Sequence, residues 1–163
     1  MITSSAIRQL GSGFQGELIQ PGAPGYDGAR AVFNVSIDRH PALIARCFGA
    51  DDVARAVLFA REHNLPLAVR GTGHNVAGYA VCDDGVVVDL LPMKAIAVDP
   101  SARTVRAQGG CNWGEVNDAL QPHAPGRVGA RVQHWRHWQS AARQSADRPR
   151  LHSPKDRIAR DGS

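Results

Sequence analysis

The sequence predicts an α+β fold, and three observations predict it. A helical pattern over residues 51–62 lies between two apolar runs, 41–47 and 67–69, as in a strand–helix–strand unit. Three further apolar runs, 86–90, 95–98 and 104–108, are short, β-branched and separated by turn residues, which reads as strands joined by β-hairpins. Between the two groups sits Arg70-Gly71-Thr72-Gly73-His74-Asn75-Val76-Ala77-Gly78-Tyr79, with three glycines in eight residues and a histidine among them.

Taken in order, residues 1–20 read as a short, loosely patterned lead. Residues 21–27, Pro-Gly-Ala-Pro-Gly-Tyr-Asp, read as a turn-rich loop. The run 41–47 is the first strand. Asp51 and Asp52 then open a helix, with carboxylates at the positive end of its dipole. Val53, Val57 and Ala60 recur at helical spacing with Leu58 beside them, and Arg55, Arg61 and Glu62 lie opposite; Asn64 and Pro66 close the helix. Residues 67–69 form the second strand, which feeds the glycine-rich stretch.

Residues 82–85, Cys-Asp-Asp-Gly, are a turn, and Asp-Gly is a hairpin signal. The run 86–90 is a buried strand. Met93 and Lys94 mark a bend, 95–98 another strand, 99–103 a turn and 104–108 the returning strand, which Gly109 and Gly110 end. Residues 113–120 read as a short helix with Trp113, Val116 and Leu120 on one face.

The glycine-rich stretch is where ligand chemistry is concentrated. Glycine takes positive φ and lets a ligand approach the main chain. A turn of this kind aims successive N–H groups into a concavity suited to phosphate. A loop at the carboxyl end of a strand is also where α/β sheets bind ligands. The residues alone therefore give an anion-cradling loop with His74 at its rim, or simply a turn. The spacing is not Gly-x-Gly-x-x-Gly, and no P-loop lysine follows.

Residues 70–78 closely resemble the flavin loop of the PCMH-type FAD-binding domain found in the vanillyl-alcohol-oxidase and berberine-bridge-enzyme-like oxidoreductases. The likeness runs from about 21 to about 123. It includes the Pro-Gly-x-x-Gly-Tyr-Asp entry followed by Arg30 and Asn34, the apolar strand ending Asp89-Leu90, the Val-Asp-Pro turn, and Gly109-Gly110 with the Trp-Gly-Glu helix. The resemblance implies the N-terminal subdomain of that domain over 1–124, with FAD as cofactor. It implies that Arg70, Gly71, Thr72, Gly73, His74, Asn75, Val76, Ala77 and Gly78 hold the pyrophosphate and that Tyr79 neighbours the ring. It implies His74 as the candidate covalent anchor, a link that raises the flavin's reduction potential. The activity implied is hydride transfer from a substrate to FAD and on to an acceptor such as O₂. Some family members add a cysteine link in the segment after 121; Cys82 and Cys111 lie elsewhere, and no general base is assigned.

Charge divides the chain. Residues 125–163 carry nine Arg and Lys against three Asp and Glu, a net of +6, whereas the preceding residues carry ten against twelve, a net of −2, so the average of +4 describes neither part. The basic tail has little apolar periodicity and is expected to be unstructured. At this point the resemblance calls for a second glycine-rich segment, and beyond it a larger substrate-binding domain. A shifted reading frame accounts for the tail. Tryptophan is TGG, and the codons after Trp135 and Trp138 can begin with C, so reading from the second base turns both into glycine. The tail is then expected to be out of frame or disordered, and the chain a truncated oxidoreductase or a catalytically silent FAD-binding fragment. Nonspecific nucleic-acid binding through clustered arginines is the remote alternative, with no fold motif behind it.

No apolar run approaches a membrane span, and residues 1–20 lack an apolar h-region, so no membrane partner is expected. Three widely spaced cysteines fit neither a disulfide framework nor a zinc site, which points to reduced thiols and a cytoplasmic setting.

Overall fold

The structure, a computed structural model, describes residues 2–123 and the backbone of 131–132. The elements in order are α1 (Ser4–Gly11), β1 (Glu17–Ile19), α2 (Tyr26–Arg30), β2 (Leu43–Arg46), α3 (Ala50–Glu62), β3 (Leu67–Arg70), β4 (Val86–Asp89), β5 (Ile96–Asp99), β6 (Thr104–Ala107), α4 (Trp113–Leu120) and β7 (Arg131–Val132). They form a four-stranded sheet in the order β1-β2-β4-β3 and a three-stranded sheet in the order β5-β6-β7.

β4 is the centre of the larger sheet. It runs parallel to β2 on one side and β3 on the other, with Leu43 and Leu67 both opposite Val86. A strand covered on both faces needs an unbroken apolar run rather than an alternating one, and all four β4 residues are buried. On one face Leu43, Ala45, Val86 and Val88 pack with Ala56, Phe59 and Ala60 of α3. On the other, Ile44, Ala68 and Val87 pack with Tyr26, Ala29 and Val81. The Tyr26 hydroxyl donates to the Pro41 carbonyl at 2.7 Å, which satisfies its polar end within that core. In the smaller sheet, Val105, Cys111, Val116 and Leu120 form the core under α4.

The α+β class is therefore observed, with the strand–helix–strand unit and the antiparallel hairpin β5–β6 in their expected places. Several details differ. The lead is not loose: it contains α1, capped by the Thr3 side chain accepting from the Ala6 amide, and β1, which pairs antiparallel with β2. The turn-rich entry gives way to α2 at Tyr26. Asp84-Gly85 makes a turn, but not a hairpin. β3 and β4 are parallel, and the chain between them travels back along the sheet through residues 71–85.

The helix faces also shift. In α3 the buried residues are Asp52, Ala56, Phe59 and Ala60, while Val57 and Leu58 are exposed. In α4, Val116 and Leu120 are buried but Trp113 is exposed. Asp52 does more than complement the helix dipole. Its carboxylate accepts from the amides of Gln15 at 2.8 Å, Gly16 at 3.1 Å and Phe48 at 2.9 Å, joining the approach to β1 to the start of α3.

The tail lies outside the described residues except for Arg131–Val132, whose backbone pairs parallel with Thr104 and Val105. The expectations of disorder and of a shifted frame concern residues beyond those described. Among the described residues, no helix is long and apolar enough to cross a membrane.

Candidate functional site

The glycine-rich stretch leaves the carboxyl end of β3, at the sheet's edge, and its base is fixed by charge. Arg70 closes β3 and is buried; Asp89 closes β4 beside it and is completely buried. Arg70 grips Asp89 with two bonds, Nη2 to Oδ2 at 2.8 Å and Nε to Oδ1 at 3.3 Å. Its Nη1 donates to the carbonyls of Ala29 and Ala31. Asp89 also accepts from Arg46 Nε at 3.2 Å and the Leu91 amide at 3.1 Å, and Arg46 reaches Glu17 at 2.9 Å. A buried carboxylate is tolerated where its lone pairs are filled and a cation is paired with it. The Arg70 guanidinium is thus committed beneath the loop, tying β3 to β4 and to the end of α2.

Above that base the loop is shaped by two glycines and braced by residues 33–37. Gly73 and Gly78 both have φ of +77°, a conformation L side chains rarely adopt. A Cβ at Gly78 would also meet Ile37 carbon atoms at 2.9 Å. The Phe33 amide donates to the Gly73 carbonyl at 3.1 Å, and Asn34 Nδ2 donates to the Val76 carbonyl at 3.0 Å. Within the loop, the Gly78 amide donates to the Asn75 carbonyl at 3.2 Å and the Tyr79 amide to Asn75 Oδ1 at 2.9 Å.

The remaining donors are what make this a candidate site. The amides of Gly71, Thr72, Gly73, Asn75, Val76 and Ala77 donate to no other described residue. Gly73 is buried, and a buried N–H without a partner costs free energy that a bound acceptor relieves. His74, Val76, Ala77 and Tyr79 point outward, while Gly71 and Thr72 are half-buried. Around them Phe33, Val35, Val76 and Tyr79 are each at least 70 % exposed. The Phe33 and His74 rings lie 5.0 Å apart, tilted by 31°. The loop thus combines unmatched N–H donors, suited to an anion, with apolar and aromatic side chains, suited to a flat ring. An FAD pyrophosphate and isoalloxazine fit that pairing.

Nothing comparable surrounds the thiols. Burial, with Asp52 and Asp89 nearby, pushes the Cys47 thiol up to about 12. Burial also raises Cys82 and Cys111, reinforced by Asp83 and Glu115 respectively. Raised thiols are poor nucleophiles. No group of three or more His, Cys, Asp or Glu side chains among the described residues is placed to hold a metal ion.

The structure brings the sequence-predicted residues 70–79 together as one loop. It separates their parts, with Arg70 below and the amides and His74 above. Two partners escaped the sequence reading: Asp89, whose signal was an acid closing a valine strand, and Phe33, an aromatic in a segment without periodicity.

Comparison with known proteins gives one consistent result. Residues 41–127 match the family described as FAD binding domain. The chain is 42 % identical over 105 residues to (R)-6-hydroxynicotine oxidase of Paenarthrobacter nicotinovorans, covering 63 % of this chain and 22 % of that protein. It is 32 % identical over 105 residues to the uncharacterized FAD-linked oxidoreductase YgaK of Bacillus subtilis, covering 64 % of this chain and 23 % of that one. Among solved structures, 6-hydroxy-D-nicotine oxidase of Arthrobacter nicotinovorans superposes with a TM-score of 0.65 at 36 % identity, over 68 % of this chain and 24 % of that one. The wild-type BBE-like 1 protein of Physcomitrella patens superposes with a TM-score of 0.67 at 24 % identity, over 72 % of this chain and 26 % of that one, a likeness of fold. The chain thus spans about a quarter of the length of each of these relatives.

Proposed function

The chain belongs to the FAD binding domain family, whose cofactor is FAD, and on that premise we propose that it is the pyrophosphate-holding part of an FAD-dependent oxidoreductase. The observation that carries the reading is the set of unmatched amides on the loop between β3 and β4. Gly71, Thr72, Gly73, Asn75, Val76 and Ala77 present their N–H groups to the pyrophosphate, while Gly73 and Gly78 allow the turn. Arg70 holds the loop down through Asp89 and the carbonyls of Ala29 and Ala31. His74 is the candidate covalent anchor, and Tyr79 flanks the ring. FAD, when bound, accepts a hydride from substrate and passes electrons to an acceptor, O₂ among them. The residues here bind and orient it; the proton-handling groups belong to the remainder of a longer oxidoreductase.

The same premise extends to the tail. We propose that residues 125–163 stand in a shifted frame, which accounts for arginine-rich sequence where the family has a second glycine-rich segment. The second reading, a catalytically silent FAD-binding fragment, is favoured by the chain's spanning only 22 % of the hydroxynicotine oxidase.

One experiment tests these readings together. The downstream DNA is sequenced, and the protein is expressed in the frame that restores the glycine-rich segment. After denaturation and acid precipitation, yellow colour should stay with that protein and be released in His74→Ala. Substrate-dependent bleaching marks an oxidoreductase; flavin bound to the 163-residue chain that dithionite bleaches but no substrate does marks the silent fragment. Flavin that washes out of the restored wild type refutes the covalent anchor. The 163-residue chain itself should retain FAD weakly or not at all, and tight stoichiometric FAD on it would count against the need for the missing segment.

A further inference from the structure

Two hydrogen bonds hold the segment 33–37 against the glycine-rich loop. The Phe33 amide donates to the Gly73 carbonyl, and any residue except proline would supply that bond. The second comes from a side chain: Asn34 Nδ2 donates to the Val76 carbonyl at 3.0 Å. The other end of the same carboxamide is occupied too, Oδ1 accepting from the Ser36 amide at 3.2 Å and the Ser36 hydroxyl at 2.6 Å. A backbone N–H on one side and a carbonyl on the other leave a single assignment of the carboxamide nitrogen and oxygen. The backbone around Asn34 is itself anchored. Arg70 Nη1 reaches the Ala29 and Ala31 carbonyls before it, and Arg30 reaches Asp38 and, at 3.3 Å, the Arg39 carbonyl after it.

Asn34 acts on a peptide unit that turns of this kind can reverse. The Gly78 amide donates to the Asn75 carbonyl, which closes a four-residue turn with Val76 and Ala77 at its centre. The peptide between those two carries the Val76 carbonyl and the Ala77 N–H, which point in opposite directions because the unit is planar and trans. Types I and II of such a turn differ by roughly a half-rotation of that peptide. With the carbonyl on Asn34, the Ala77 N–H faces away from the segment 33–37, and it donates to no other described residue. Alanine opposes reversal as well: type II needs positive φ at the third residue, and Ala77 is not among the positive-φ residues.

We propose that Asn34 is a positioning residue that fixes the direction of the Ala77 N–H, and with it one donor for a cofactor phosphate. Aspartate in its place would keep the Ser36 bonds but bring no donor to Val76; leucine would keep only the bulk. That this N–H meets a pyrophosphate rests on the function proposed above; its direction does not.

The test uses the 163-residue chain, isotopically labelled and weakly aligned, with the residual dipolar coupling of the residue-77 N–H as readout. In the wild type the coupling should match an N–H vector antiparallel to a Val76 carbonyl aimed at Asn34. Ala77→Gly removes the alanine's opposition to reversal, and the coupling should persist there because Asn34 still holds the carbonyl. Adding Asn34→Leu or Asn34→Asp to Ala77→Gly should collapse it, while the couplings of residues 86–89 stay as in the wild type and show the sheet intact. Loss of the coupling in Ala77→Gly alone, or its persistence in either double variant, overturns the proposal. Inorganic pyrophosphate is then titrated. It should shift the residue-77 amide signal in the wild type and in Ala77→Gly. It should bind roughly 2- to 12-fold more weakly when Asn34→Leu is added to Ala77→Gly, the range one neutral hydrogen bond supplies. Equal affinities in those two variants would overturn the phosphate-donor role. A wild type that does not respond to pyrophosphate counts against the proposed function alone, since the couplings still decide the direction of the N–H.

Discussion

Asp89 supports the site without facing it. It is completely buried, yet three groups depend on it: the guanidiniums of Arg70 and Arg46 and the Leu91 amide. Replacing it with asparagine keeps the shape but leaves the buried Arg70 without its counter-charge and Arg46 with Glu17 alone. Breaking a buried pair from one side costs about 3–5 kcal/mol, against a total stability of about 5–15 kcal/mol for a domain. Asp89→Asn is expected to lower the urea midpoint by a corresponding amount and to increase hydrogen exchange in residues 70–79 before the α3 amides respond. A loss below about 1 kcal/mol, the scale of exposed ion pairs, would show that the pair does not anchor the loop. Arg70 was legible from the sequence as part of the loop; its direction was not, because an arginine beside a phosphate-binding turn can serve the ligand or the fold equally. What decides it is Asp89, nineteen residues away and brought alongside only by the parallel register of β3 and β4.

At the scale of elements, α4 shows how much a local signal can specify. Asn112 accepts from the Glu115 amide at 2.9 Å and Glu115 returns a bond to the Asn112 amide at 2.7 Å, a capping box. Lys94 also bonds the Glu115 carboxylate. That bond first, and the Asn112 amide second, hold the Glu115 carboxyl below its ordinary value of 4.5. Because the folded value lies below the unfolded one, the contribution is complete above about pH 4.5 and is lost as pH falls through the folded value. Amide protection in residues 113–120, taken relative to the intrinsic exchange rate at each pH, should therefore fall on acidification below that point, and Glu115→Gln should flatten the response. A wild-type profile that is already flat would remove the carboxylate from the account. Asn112→Ala should cost about 1 kcal/mol at neutral pH. The extent of α4 was readable because its signal is local, but its cap and the buried faces were not. Periodicity assigned Val57, Leu58 and Trp113 to the interior, yet which stripe of a helix faces inward is set by the sheet beneath it. In α3 that stripe is Ala56, Phe59 and Ala60. The Asp-Gly turn misled for a related reason: turn chemistry fixes a reversal, not the next strand's partner.

For the whole molecule, the sequence revealed a strand–helix–strand unit followed by hairpins, and the loop between them. It did not reveal that β4 inserts between β2 and β3, since strand order is a matter of long-range pairing. That order leaves β3 at an edge, where Leu67 and Val69 are 41 % and 49 % exposed while Ala68 and Arg70 face inward. An edge strand offers unpaired N–H and C=O groups, and apolar side chains on it favour pairing with another chain. Among the other exposed apolar residues, Phe33, Val35, Val76 and Tyr79 cluster on the loop side. The chain spans 22 % of the hydroxynicotine oxidase and 23 % of YgaK, so most of those folds has no counterpart within it. Expressed by itself, the 163-residue chain should therefore self-associate as its concentration rises, with β3 as the contact. Leu67→Lys with Val69→Lys places charge on the edge without touching the Arg70–Asp89 pair. Sedimentation velocity should show the wild type moving toward larger species while the double variant stays monomeric, with closely similar thermal midpoints. If the double variant associates as strongly as the wild type, the contact lies elsewhere, and combining it with Tyr79→Ser distinguishes the loop face from the edge. A wild type that remains monomeric up to its solubility limit would show that these exposed residues are tolerated as they stand, and that β3 is protected by its shortness alone.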